Sequence, residues 1–189
     1  MKKHQREGYV SIVCLFIGMS IIALTLSVMT LHMNDYQLQQ SSGNRIRAQY
    51  LAESGMDLTL HQLYEWSEDA IEDLFLVLLQ DSDAIHHLDD YLYHHMIHQV
   101  NSNKQYLQID LNGMYAEYAH DHGMNVIVRS SVDKTLRVKV HGYYDNARVY
   151  LEGVVQMPAI VVEIGEGGTE MFMIKSLYLK SLVQSYPEA

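Results

Sequence analysis

A single cysteine, Cys14, in 189 residues excludes an intramolecular disulfide, so no covalent staple holds the fold. Cys14 lies inside an apolar run and reads as a small apolar filler in lipid. It is not a lipidation signal, because the apolar segment follows the cysteine instead of preceding it. No proline occurs before Pro158, so the strongest helix breaker is missing from everything upstream. Basic residues are scarce: 13 Lys and Arg face 23 Asp and Glu, for a formal net charge of −10. A dedicated nucleic-acid binder carries a basic footprint, so no nucleic-acid partner is expected. The acidic balance suits an exposed head that must stay soluble. Phe and Trp number 3 and 1, against 14 Tyr. That bias fits strands and half-wet surfaces, where a ring packs and its hydroxyl stays hydrated.

The longest charge-free stretch is Tyr9 to Met33, which contains no Asp, Glu, Lys or Arg. As a helix it is about 37 Å long, enough to cross a bilayer with some tilt. A buried core helix of that length needs a larger surrounding protein than this chain supplies. The leader before it, Met1-Lys2-Lys3-His4-Gln5-Arg6-Glu7-Gly8, is short and basic apart from Glu7. Its charge predicts a cytoplasmic N-terminus, with the rest of the chain outside. The apolar run is too long for a secretory signal, and no Ala-x-Ala site follows it. The cut that fits lies before the run, between Gly8 and Tyr9.

This arrangement resembles the class III leader of type IV prepilins and of the pseudopilins of type II secretion and DNA-uptake machines. The resemblance covers residues 1 to about 65. Its second part is Arg47-Ala48-Gln49-Tyr50-Leu51-Ala52-Glu53-Ser54-Gly55-Met56, which is similar to the small-residue segment after the membrane helix of PilX-type minor pilins. The resemblance implies a prepilin peptidase that cuts after Gly8 and methylates Tyr9. It also implies other pilins or pseudopilins and an assembly platform as partners, in the cytoplasmic membrane and then in an extracellular filament. Assembly would involve Val13, Ala52, Glu53 and Gly55. Most pilins carry Glu as the fifth mature residue, where this chain has Val13. The same departure occurs in the tip pseudopilin of type II secretion systems, and it points to a minor subunit at or near a filament tip. The alternatives are a pseudopilin of a secretion or competence machine, or a single-pass extracytoplasmic binding or sensor protein.

The expected fold is α+β and pilin-like. A leader (1–8) and a membrane helix (9–33) precede a helical region (34–100) and a β-rich head (101–189). Ser41-Ser42-Gly43-Asn44 predicts a kink or a melted turn. Beyond it, Ala48, Leu51/Ala52, Gly55, Leu58/Thr59, Gln62/Leu63 and Trp66 recur at helical spacing. Small residues at Ala52 and Gly55 let that helix sit close to a partner, expected to be the chain's own sheet. Asp69 to Leu79 reads as a fresh helix start running into an apolar segment. An amphipathic helix from about Ser82 to Gln99 follows, capped by Ser82 or Asp83, with Ile85, Leu88 and Leu92 on its apolar face.

From Lys104 the period changes to two, predicting strands at Tyr106–Leu111, Asn125–Arg129, Leu136–Val140 and Arg148–Glu152. Turns are expected at Asn112-Gly113, Asp121-His122-Gly123, Asp133-Lys134 and Asp145-Asn146. The last is read as a two-residue type I′ hairpin, which sets Tyr143 opposite Arg148, His141 opposite Tyr150, Val140 opposite Leu151 and Lys139 opposite Glu152. Val154 to Ile164 adds a strand interrupted at Pro158, Glu166-Gly167-Gly168 is a loop, and the end from Met171 reads as neither period.

One cluster could carry chemistry. On a helix, His86, Asp90, His94 and His98 share a face at a spacing that suits a divalent metal. The competing reading makes them solvated positions opposite Ile85, Leu88 and Leu92. Glu68, Asp69, Glu72 and Asp73 read as the solvated face of a helix, not as paired acids. Gly165-x-Gly167-Gly168 lacks the Lys-Ser/Thr of a phosphate loop, and no serine elbow is present. The expectation is a protein that is not an enzyme, with no cofactor.

Overall fold

A run without charge or proline has no reason to leave the helix, and α1 (Lys3–Gln80) is helical along its whole length. The computed structural model describes residues 3–80, 88–102, 120–131, 133–164 and 170–185. The chain divides into two compact units, Met1–Gly43 and Asn44–Ala189. In the first, one helix is long and apolar enough to cross a membrane, with an 18-residue window of mean hydropathy 2.6 and none of that window buried. Four of its hydroxyls bond within the helix. Ser20, Thr25, Ser27 and Thr30 each donate to the carbonyl four residues earlier, at 2.8–2.9 Å. Such back-bonding is how a hydroxyl is satisfied where no water is at hand.

The second unit is a helix–sheet layer. Helix α2 (Leu88–Ser102) is followed by strands β1 (His122–Ser130), β2 (Thr135–Tyr144), β3 (Ala147–Gln156), β4 (Ala159–Ile164), β5 (Glu170–Lys175) and β6 (Tyr178–Ser185). An antiparallel sheet runs in the order β1-β2-β3-β6, and β4 pairs with β5 in a separate ribbon. The fold is α+β, with an antiparallel meander through β1, β2 and β3. The chain leaves the sheet after β3 at Met157-Pro158, makes the β4–β5 hairpin, and returns to lay β6 on β3. The β3–β6 register slips between Val154 and Val155, whose partners are Ser181 and Leu179, so Lys180 falls between two rungs as a bulge.

The core is built from helix stripes laid on one sheet face. Ala48, Ala52, Thr59, Leu63, Ala70 and Leu74 of α1 are fully buried, together with Leu92 and Met96 of α2. The inward residues of the sheet are Val126, Leu136, Val138, Val140, Val149, Leu151 and Val155. The predicted stripe holds except at Leu58, which is 45% exposed. Met96 and Val100 continue the α2 face beyond the predicted Leu88 and Leu92.

The predicted hairpin register is found in full: Tyr143↔Arg148, His141↔Tyr150, Val140↔Leu151 and Lys139↔Glu152 are partners. Its turn differs from the expectation. Among the described non-glycine residues only Lys134 and Asp145 have positive φ (52° and 53°), whereas a type I′ turn needs both central residues there. Three further expectations are corrected. Ser41 to Asn44 is helical, so the melted turn is not found; its propensity penalty, about 1 kcal/mol for the glycine and less for its neighbours, is small beside the helix on either side. Asp69 starts no new helix, because α1 runs on to Gln80 with Ala70 and Leu74 buried in register with Leu63 and Trp66. His122 and Gly123 stand in β1, not in a turn, paired with Tyr144 and Tyr143. The stretch from Met171 resolves into β5 and β6. The predicted strand Tyr106–Leu111, its turn, the Ser82/Asp83 cap, Ile85, His86 and the Glu166–Gly168 loop lie outside the described residues.

Candidate functional site

Gly8, Tyr9 and Val13 all belong to the first turns of α1, and the Val13 side chain is exposed. Val13 therefore stands on a helix surface with no carboxylate to pair in its place. Farther along the same helix, Ala52 and Gly55 form a joint with the sheet, as their sizes predicted. A Cβ added at Gly55 would lie 2.8 Å from Val140 Cγ1 and 2.9 Å from Met124 Sδ. The sheet answers with a glycine of its own. A Cβ on Gly142 would collide with the Ala48 carbonyl oxygen, 2.5 Å from Ala52 N and 2.9 Å from Ala52 Cβ. Backbone meets backbone there with no side chain between. Glu53 is half-buried on the neighbouring face and accepts from Gln49 Nε2 at 2.8 Å.

Polar contacts fix the same joint. Asn44 Nδ2 donates to Asp145 Oδ2 at 3.0 Å, tying the start of this unit to the β2–β3 turn. The Arg47 guanidinium lies 4.9 Å from the centre of the buried Tyr144 ring and donates to its hydroxyl at 3.3 Å. The segment that carries the pilin resemblance, Arg47 to Met56, is thus also the segment that grips the sheet.

The histidine helix is arranged otherwise than a metal face. Asp90 points to Lys134 Nζ at 3.4 Å, and the same ammonium bonds Asp89 at 2.5 Å. His94 and His98 are exposed, and His86 lies outside the described residues. The ring drawn toward α1 is His95, 3.6 Å from Asp73. Among the described residues no group of three His, Cys, Asp or Glu could hold a metal ion. What the acidic start of α2 does is dock. Its bonds to Asp89 and Asp90 raise the pKa of Lys134, against a smaller opposing effect of burial. Asp89 also accepts from the Ile160 amide at 3.3 Å, which brings β4 to the same point. Asp89 and Asp90 stand in the first turn of α2, where negative charge is favoured by the helix dipole.

The sheet face turned away from α1 holds a second group of side chains. His141 stacks on Tyr150 with ring centres 4.4 Å apart and planes 4° from parallel. Arg148 covers Tyr143 at 5.1 Å. Arg137 and Lys139 both reach Glu152, at 3.3 Å and 3.9 Å. The buried His141 Nε2 has no hydrogen-bond partner among the described residues. Burial, and secondarily the Arg148 charge, holds the His141 pKa below its ordinary value of 6.5. The unfolded chain therefore binds a proton near pH 6.5 that the folded head refuses. Stability is present above that pH and is lost as pH falls below it. Urea midpoints at about pH 7.5 and 5 are expected to show a smaller acid-side loss in His141→Phe than in the wild type.

Sequence reasoning missed Lys134, Gly142 and the His141–Tyr150 stack. Gly142 had a signal, since a glycine inside a strand pattern marks close backbone approach. The stack could have been read from the correct register, which set the two rings opposite each other. Lys134 had none, because its partners lie 44 and 45 residues away. A scan against protein-family models, a search of curated proteins and a search of solved structures each return no match.

Proposed function

We propose that this chain is a minor pilin or pseudopilin, a non-enzymatic subunit that a type IV pilus-like machine draws from the cytoplasmic membrane into a filament. The observation that carries the reading is one helix serving two purposes. Its charge-free part can be stored in lipid, with Ser20, Thr25, Ser27 and Thr30 each satisfied within the helix. Its later part carries the small-residue stripe that seats a β-sheet head. The basic leader before that helix supports an N-terminus held in the cytoplasm. Prepilin peptidase, other pilins and the assembly platform are the partners this role requires.

Val13 supports a place at or near the filament tip. A carboxylate in lipid is costly unless paired. In the resembled pilins the glutamate at that position is thought to neutralise the N-terminal amine of a neighbour. A subunit with none ahead of it needs no such group. Labelling head epitopes on sheared filaments is expected to mark filament ends, at low copy number. Uniform decoration along the shaft would remove the tip assignment.

A further inference from the structure

The head carries two like-charged patches of opposite sign, and each is unfavourable by itself. The first is on the outer sheet face, where Arg129, Arg137 and Lys139 stand in neighbouring register positions and Arg148 lies farther along, opposite Tyr143. Arg129 and Arg137 are directly opposed across β1 and β2, a placement that destabilises a sheet. Among the described residues, Glu152 is the one carboxylate on that face of the four strands. The excess is notable in a chain of net charge −10. The second patch is on α1, where Glu65, Glu68, Asp69, Glu72 and Asp73 include the pairs 65/68, 65/69, 68/72, 69/72 and 69/73, three or four residues apart. All five are exposed, opposite the buried Leu63, Trp66, Ala70 and Leu74. Like charges at that spacing weaken a helix. His61 and His95 face the two ends of the stripe, at Glu65 and Asp73. Among the described residues, Glu68, Asp69 and Glu72 have no ion-pair partner.

We propose that the outer sheet face docks the acidic α1 face of a second copy of this chain. Charge complementarity carries the choice of occupant: each patch supplies what the other lacks, and both belong to the same head. They cannot meet within one head. The inner sheet face is covered by α1, and the acidic stripe lies on the side of α1 turned from its buried contacts. The contact is therefore heterologous and leaves one patch of each sign open at the two ends of a pair. A single-stranded nucleic acid would also seek cations, but it needs open rings for its bases. Here Tyr150 is already covered by His141, and Tyr143 by Arg148. The proposal does not depend on processing at Gly8 or on filament position.

The test uses the full-length chain in detergent micelles at low salt, with carboxylate–amine crosslinking as the readout. The wild type is expected to crosslink, and 0.5 M salt to abolish it, because exposed pairs are screened within about 3–4 Å there. The double variants Arg129→Glu/Arg137→Glu and Glu68→Lys/Glu72→Lys are each expected to lose association at least tenfold when alone. Mixed one to one, they are expected to recover it, because the first keeps the acidic face and the second keeps the basic one. Should a reversal unfold the head, the glutamine pairs R129Q/R137Q and E68Q/E72Q carry the same test at smaller amplitude. Undiminished association of either double variant alone overturns the proposal. So does a mixture of folded variants that stays apart, or a wild type that remains single while its Arg129/Arg137 face captures a single-stranded oligonucleotide.

Discussion

Gly8→Asp is expected to convert a fully processed protein into one that keeps its leader. In cells that contain a prepilin peptidase, the wild-type membrane form should begin at Tyr9 and carry a methylated amine. Intact mass and N-terminal sequencing read both. The physical basis is the position of the only charge-to-apolar boundary at the start of the chain. Lys2, Lys3 and Arg6 lie on one side of Gly8, and Tyr9 begins a run without Asp, Glu, Lys or Arg that reaches past Met33. On the proposed reading, a cut there would remove the basic leader and leave an uncharged helix at the new N-terminus. Asp at position 8 puts a charged side chain at the cleavage position itself, one residue past Glu7, where a charge carried into the membrane is costly. A wild-type protein that still starts at Met1 beside an active peptidase would defeat the pilin reading and favour a single-pass sensor.

Gly142→Val is expected to destabilise the head by about 3 kcal/mol, the upper end of what overpacking costs. The reason is the identity of the obstructing atoms. The added carbons would meet the Ala48 carbonyl oxygen and the Ala52 amide nitrogen, which are backbone of α1 and cannot rotate away. Gly55→Ala is the control. Its new methyl meets the ends of Val140 and Met124, and a methionine repacks readily, so a loss nearer 1 kcal/mol is expected. Thermal or urea unfolding measures both. Equal losses would show that the helix can lift from the sheet at Gly142 without strain.

Much of this architecture was legible because it rests on period and local pattern. The stripe from Ala48 to Trp66 repeats at helical spacing, and the alternation in Val138–Val140 and Val149–Leu151 excludes a one-residue slip, while the Asp145-Asn146 turn sets the register. What stayed hidden depends on distance along the chain or on small differences in local preference. The Lys134 bonds to Asp89 and Asp90 join residues that no local pattern relates. Ser41 to Asn44 looked like a break, yet helix propensities are weak beside the cooperativity of a long helix. The reading of Asp90 with His94 and His98 as a common face was sound as helix geometry, but Asp90 is held by an ammonium that spacing could not reveal.

The slipped register at Lys180 bears on crowding. High local concentration is the condition under which an open strand recruits another and sheets grow without limit. Strand β6 presents such a margin, with Tyr178, Leu182 and Val183 each about half exposed. The bulge interrupts the rungs within that strand and sets a lysine ammonium at the break. A foreign strand laid along it would lose its ladder partway and meet an unmatched cation. Crowded copies can then lie side by side while each sheet keeps its own four strands.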